Sequence, residues 1–264
     1  MKIDLSGKSA LVTGSTAGIG RAIASGLASA GARVVINGRR QASVETALQQ
    51  LRAELPAASF KAVAADVSTA LGCRALAEAA GAVDILVNNA GIFEPKEFLQ
   101  IADEDWTRFF ETNVMSGVRL SRALLPGMLK RNWGRIVFIS SESALHIPKE
   151  MIHYGLTKTA QLALSRGLAE LTAGTAVTVN SVLPGPTRSD GVEDFLQAMA
   201  RQTGTSAEQI ASDFVKQHRS TSLLQRFASV EEVANMVVYV CSPQASATNG
   251  SALRVEGGIV RTIA

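Results

Sequence analysis

The chain has 264 residues and a mass of 27.7 kDa, with 47% apolar and 19% charged side chains, a net charge of +3, two cysteines and two tyrosines. That length gives one or two domains at about 150 residues each and leaves ample chain for one large core. The charges form no basic arm or acidic tail, so neither nucleic acid nor a membrane is expected as a partner, and no apolar run approaches the ~18 residues of a membrane span.

Residues 8–13 form a short apolar run ending in glycine, and residues 18–30 follow as a helix stopped by Gly31. Residues 33–37 read as a second strand, 42–55 as a helix stopped by Pro56, 60–64 as a third strand and 69–80 as a helix stopped by Gly81. A fourth strand (84–87), a long helical stretch (103–131), a fifth strand (135–140), a helix (152–171) and a sixth strand (176–183) continue the alternation. Strands that alternate with helices of this length pair in parallel through right-handed crossovers, and apolar residues nearly throughout each strand mean helices on both faces. The expected fold is α/β, a doubly wound parallel sheet of seven strands. Between Pro184 and Arg226 the alternation lapses into a polar, helical stretch, read as a lid (residues 187–225) rather than a second domain, before a helix (230–241) and a last strand (251–255). The whole chain, 1–264, is thus expected to be one domain.

Met1 to Lys8 contain Asp4 and no long apolar stretch, unlike a secretory signal. A chain of this size needs no staple, so Cys73 and Cys241 are expected as reduced thiols in a cytoplasmic protein.

The turn Thr13-Gly14-Ser15-Thr16-Ala17-Gly18-Ile19-Gly20 ends the first strand and opens the first helix. Small residues there let the backbone approach a pyrophosphate, which the free N–H groups and positive end of the helix favour. A tight strand-to-helix corner is the alternative, and the spacing is a variant of the usual dinucleotide fingerprint. After the second strand the sequence is Asn37-Gly38-Arg39-Arg40. An acid there would meet the ribose hydroxyls of NAD; two guanidinium groups suit the 2′-phosphate of NADP. NADP(H) is therefore the expected cofactor, with NAD(H) second, and no metal is expected.

Tyr154 and Lys158 are four residues apart and share one helix face, and Ser141 follows the fifth strand, at the edge where parallel α/β folds place active sites. Reduction of a carbonyl by hydride needs an acid to protonate the developing alkoxide, and a tyrosine beside a cation can be that acid. Such pairs are also common on ordinary amphipathic helices.

The combination of residues 13–20, Asn88-Asn89-Ala90-Gly91 after the fourth strand, Asn113, Ser141, Tyr154, Lys158 and Pro184-Gly185 resembles the short-chain dehydrogenase/reductase family in content and order, from Lys8 to Val255. The resemblance implies a Rossmann-like fold with Tyr154 as proton donor, Lys158 lowering its pKa and holding the nicotinamide ribose, Ser141 bonding the substrate oxygen and Asn113 supporting a water path. It assigns Gly14, Ser15, Thr16, Gly18, Ile19 and Gly20 to the phosphate turn, Asp66 and Val67 to the adenine, and Asn88, Ala90 and Gly91 to the cofactor's centre. Pro184, Gly185, Thr187 and Ser189 would follow it along the sixth strand, where Thr187 stands in the family's aliphatic place and Ser189 in its threonine place. The implied activity is NADPH-dependent reduction of a ketone or oxoacyl group to a secondary alcohol. Readings in the oxidative direction on an alcohol, sugar or steroid, and as a silent nucleotide-binding protein, stay open. Lys130 and Arg131 would flank an acidic carrier protein, but residues 172–175 lack the basic residue of the other flank. The family also implies a homotetramer, or a homodimer, built on the long helices and the apolar end 257–264. Glu142, His146, His153, Phe93 and Glu94 lie near the pocket in sequence, and the lid's Phe195, Leu196, Met199, Phe214, Leu223 and Leu224 suit either an apolar substrate or subunit packing.

Overall fold

A computed structural model describes residues 2–263. In chain order the strands are β1 (Ser9–Val12), β2 (Arg33–Gly38), β3 (Phe60–Ala64), β4 (Ile85–Asn88), β5 (Gly134–Ile139), β6 (Val177–Pro184), β7 (Thr187–Arg188), β8 (Ala228–Ser229) and β9 (Ala252–Val255). All but β7 and β8 form one parallel sheet in the order β3-β2-β1-β4-β5-β6-β9. The helices are α1 (Gly18–Ser29), α2 (Gln41–Glu54), α3 (Ala70–Ala80), α4 (Asp103–Phe110), α5 (Ser116–Lys130), α6 (Ile152–Glu170), α7 (Asp190–Thr203), α8 (Ala207–His218) and α9 (Val230–Cys241). This is the doubly wound seven-stranded sheet expected from the alternation of apolar runs.

Alternate side chains of each strand point to opposite faces, so each apolar run divides between two cores. Ala10, Val12, Val34, Ile36, Ile85, Val87, Val137, Ile139 and Val182 pack with Ile23, Leu27, Val44, Leu51, Val233 and Val237 from α1, α2 and α9. Leu11, Val35, Leu86, Ile136, Phe138, Val177 and Val179 face Leu76, Leu120, Leu124 and Met128 from α3 and α5. The chain reverses its winding between β1 and β4, which opens a crevice at the carboxyl ends of the central strands.

Two features differ from the sequence reading. The single helical stretch of residues 103–131 is interrupted by a π-turn at Glu111–Met115, which carries Asn113. The segment between β6 and α9 is closed at its base by a clasp: β7 pairs in parallel with β8, Thr187 opposite Ala228 and Arg188 opposite Ser229. Between these strands α7 and α8 bury Leu196, Ala207 and Ala211 in a small core of their own. Phe195 and Leu223 are exposed, so only part of the apolar content of residues 187–225 faces inward. Cys73 and Cys241 are free and buried. Among the described residues, no helix is long and apolar enough to cross a membrane. Of the apolar end 257–264, Ile259 and Val260 are buried, Ile263 is exposed and Ala264 lies outside the described residues.

Candidate active site

The glycine-rich turn forms the floor of the crevice. Gly14 and Gly18 adopt φ values of +61° and +54°, a region costly for other residues. A Cβ at Gly20 would lie 2.3 Å from the carbonyl oxygen of Gly14, so no larger residue fits. Gly18, Ile19 and Gly20 line the cavity, and Thr16 packs beside Gly38. Ser15 is turned inward. Its Oγ donates to the Val12 carbonyl at 2.7 Å and accepts from the Asn37 N–H at 2.9 Å, and its own N–H donates to the Asn37 carbonyl at 2.8 Å. These bonds tie the turn to β2. The first turn of α1 has no acid of its own; Asp190, at the start of α7, accepts from the Gly18 N–H at 3.0 Å, where a negative charge is favoured.

Beyond β2, Arg39 and Arg40 are exposed and form no ion pair among the described residues. Asn37, in the region where an NAD-binding acid is expected, donates instead to the carbonyls of Val63 and Ala65 at 3.1 Å each. After β3, Asp66 accepts from the Ser68 N–H and hydroxyl at 3.0 and 2.7 Å, while Val67 is buried in the core. After β4, Asn88 is buried against Ser121. Its neighbour Asn89 clamps the two central turns together by donating to the carbonyls of Thr13 and Gly14 at 2.9 and 3.0 Å. Sequence reading gave Asn89 only as part of a run. The Ala90 N–H donates to Thr13 Oγ1 at 2.9 Å. Gly91 leaves open space between two polar groups, since a Cβ there would stand 3.3 Å from Asn113 Oδ1 and 3.6 Å from Lys158 Nζ.

The opposite wall comes from β5, β6 and α6. Pro184, Gly185, Thr187 and Ser189 all line the cavity. Thr187 Oγ1 donates to the Gly185 carbonyl at 2.9 Å, which leaves Ser189 as the hydroxyl in this run without a hydrogen bond among the described residues. One turn of α6 separates Tyr154 from Lys158, and the ammonium lies 5.5 Å from the phenol ring centroid. Phe93 meets Tyr154 edge-on at 6.4 Å. Lys158 is buried and donates to the Ile139 carbonyl at 2.9 Å. Asn113 uses both ends of its amide, accepting from the Ile92 N–H at 2.8 Å and donating to the Ile92 carbonyl and Thr157 Oγ1 at 3.0 Å each. The structure therefore brings Asn113, Ser141, Tyr154 and Lys158 to one end of the crevice.

Ser141 begins a short 3-10 turn, Glu142–Ala144, and its Oγ donates to Glu142 Oε2 at 2.5 Å while accepting from the Ser143 N–H at 3.1 Å. Glu142 is buried and paired with Arg219, whose Nε donates to Oε1 at 3.0 Å. Arg219 follows α8, so this bond joins the α7–α8 segment to the turn after β5. Nothing in the sequence near Arg219 marks it: it stands 77 residues from its partner. His146 is exposed, Glu94 pairs with Arg108, and His153 is fully buried against Phe109 and Trp106.

Burial sets the electrostatics. Desolvation lowers the Lys158 pKa to about 8. Desolvation also raises the Tyr154 phenol, with the Glu142 charge adding to it and Ser141 and Arg219 opposing it. The expectation that Lys158 depresses the phenol is thus not the dominant effect here; at neutral pH Tyr154 holds its proton, as a proton donor must. The cavity, of about 540 Å³, runs from the glycine turn past Tyr154 to Phe214 of α8 and Arg219.

These residues fit a nicotinamide dinucleotide. The turn excludes any Cβ at Gly20, Arg39 and Arg40 have no partner, and Lys158 has no acidic partner among the described residues. Sheet and site together define an NAD(P)-dependent oxidoreductase acting on CH–OH or C=O groups. The family model for short chain dehydrogenase matches residues 8–200, and the chain belongs to that family. It is 49% identical over 263 residues, with complete coverage of both chains, to an uncharacterized oxidoreductase, YvaG, of Bacillus subtilis. It is 35% identical to the 3-oxoacyl-[acyl-carrier-protein] reductase of Aquifex aeolicus, covering 98% of this chain and 100% of the other. The L-sorbose reductase of Gluconobacter frateurii, solved with NADPH and L-sorbose, superposes with a TM-score of 0.94 at 34% identity over the full length of both chains.

Proposed function

We propose that the protein reduces a ketone or oxoacyl compound to a secondary alcohol with NADPH, Tyr154 giving the proton to the carbonyl oxygen. The observation that carries this reading is the convergence of Ser141, Tyr154 and a buried Lys158, its ammonium held by the Ile139 carbonyl, on one cavity. When bound, the dinucleotide supplies the hydride. Gly18, Ile19 and Gly20 hold its pyrophosphate at the helix end, and Asp66 and Val67 take its adenine. Asn88, Ala90 and Gly91 flank its centre, Lys158 its nicotinamide ribose, and Pro184, Gly185, Thr187 and Ser189 its carboxamide end. Ser141 orients the substrate carbonyl, and Asn113, held at the π-turn, keeps Ile92 and Thr157 in place behind Tyr154.

Preference for NADPH rests on Arg39 and Arg40, which form no ion pair among the described residues, and on the lack of an acid in residues 37–40; the likeness to a reductase solved with NADPH supports it. Residues 187–225 serve as the substrate lid of a single domain. Arg131, one cation of the carrier-protein flank, is drawn to the Val83 carbonyl and Asp84, which weighs against an acidic carrier there. Exposed Phe110 of α4 and Leu156 of α6 suit a homotetramer built on these helices, and the buried free thiols suit a cytoplasmic protein. The test is NADPH oxidation over a panel of ketones, aldehydes and oxoacyl thioesters, repeated with NADH. Turnover of at least one class with NADPH ahead of NADH is expected; no turnover of any carbonyl contradicts the reading.

A further inference from the structure

Ser141 has one hydroxyl proton, and in this structure it is given to Glu142 Oε2. If Ser141 bonds a substrate carbonyl, that proton leaves Glu142. The carboxylate is buried, and among the described residues Ser141 is the one donor to Oε2, the other oxygen being held by Arg219 Nε at 3.0 Å. A buried carboxylate oxygen stripped of its donor is destabilised, because it has left water without gaining a partner. A substrate that bonds Ser141 therefore binds best if it also returns a donor to Glu142.

We infer that Glu142 is a specificity residue that reads a hydroxyl on the carbon next to the reacting carbonyl, so that the substrate class is the α-hydroxy ketones. This rests on the carbonyl reductase reading. Ser141 Oγ and Glu142 Oε2 are 2.5 Å apart, so two neighbouring oxygens approaching from the cavity, as in a vicinal hydroxy carbonyl, reach both. The carbonyl oxygen accepts from Ser141 while the hydroxyl donates to Glu142, and the hydrogen bonds of the wall remain complete. An acidic substituent is disfavoured: Arg219 is already matched by Glu142, and the pair offers no net positive charge. A simple ketone of the same size fills Ser141 and leaves Glu142 bare. A site built around such a bond rejects the analogue that lacks it far more strongly than an apolar pocket rejects a missing methylene.

The experiment measures kcat/KM with NADPH on matched pairs: hydroxyacetone against acetone, acetoin against butanone, and 2-hydroxycyclohexanone against cyclohexanone. The wild-type protein is expected to favour the hydroxylated member by about tenfold or more in at least one pair. In Glu142→Gln the amide oxygen can keep Arg219 while the NH2 faces Ser141 and cannot accept, so the ratio is expected to fall to within about threefold of unity through loss on the hydroxy ketone. NADPH affinity and the melting temperature of the variant, measured alongside, report whether the fold and cofactor site survive. Wild-type ratios at or below unity in all three pairs overturn the inference and leave the reductase reading standing. A preserved ratio in Glu142→Gln overturns the assignment to Glu142. No reduction of any carbonyl, in these pairs or in the wider panel, overturns the reductase reading and the inference with it.

Discussion

The Lys158 ammonium donates to the carbonyl of Ile139 at 2.9 Å from a buried position and meets no carboxylate at ion-pair distance among the described residues. Such a charge is held against the preference of its surroundings, and its pKa falls from 10.5 to about 8. Below pH 8 the folded protein carries the full penalty, on the order of 3 kcal/mol; as pH rises from 8 to 10.5 the unfolded chain binds the extra proton and the penalty fades. Lys158→Met is therefore expected to melt a few degrees above wild type at pH 7, with the gap closing by pH 10.5, while losing reductase activity. Thermal melts of both proteins across that range check it; a variant that melts lower at pH 7 contradicts the account of Lys158.

Arg39 and Arg40 are exposed after β2 and form no ion pair among the described residues. Replacing both by alanine removes charge-assisted bonds worth about 1.5–3 kcal/mol to a 2′-phosphate. NADPH affinity should fall roughly 10- to 100-fold and NADH affinity should hardly change. Fluorescence titration with each cofactor measures the two effects separately.

His153 is fully buried, its ring tilted against Phe109 at 4.1 Å between centroids, and has no hydrogen bond at either ring nitrogen among the described residues. Desolvation lowers its pKa from 6.5, against the pull of Asp105 and Glu94 and together with the repulsion of Arg108 and Lys96. Since the unfolded chain binds the proton first, wild-type stability falls as pH drops below 6.5 toward the lower folded value. His153→Leu is expected to be at least as stable as wild type at pH 7, and more so at pH 5. Denaturant titrations at the two pH values provide the measurement.

Phe110 and Leu156 are both exposed on helices assigned to subunit contacts. A Phe110→Glu, Leu156→Arg double variant should sediment as a smaller species than wild type, whose expected mass is four times 27.7 kDa. A wild-type monomer at micromolar concentration contradicts the assembly.

Much of this was legible in the sequence because the determinants are local. Runs such as Arg33–Gly38 and Gly134–Ile139 declare parallel strands, and Tyr154 with Lys158 share a helix face by spacing alone. The π-turn at Asn113 was not legible, because one extra residue in a turn scarcely alters the apolar pattern of a long helix. Nor was the clasp of Thr187–Arg188 with Ala228–Ser229, since two residues show no period. The inward turn of the Ser15 hydroxyl was not legible either, because its partners, Val12 and Asn37, are brought to it only by the folded turn and β2. Arg219 and Asp190 reach Glu142 and Gly18 across 77 and 172 residues, distances at which a single charge leaves no pattern.

The central claim is that Tyr154 gives the proton to the substrate carbonyl. Tyr154→Phe removes one hydroxyl and leaves Phe93 packed against a ring of the same shape. Single-turnover oxidation of bound NADPH by a ketone that wild type reduces measures its effect directly. The predicted result is a rate lower by about 10²- to 10⁴-fold with NADPH affinity unchanged; a rate within threefold of wild type contradicts the account.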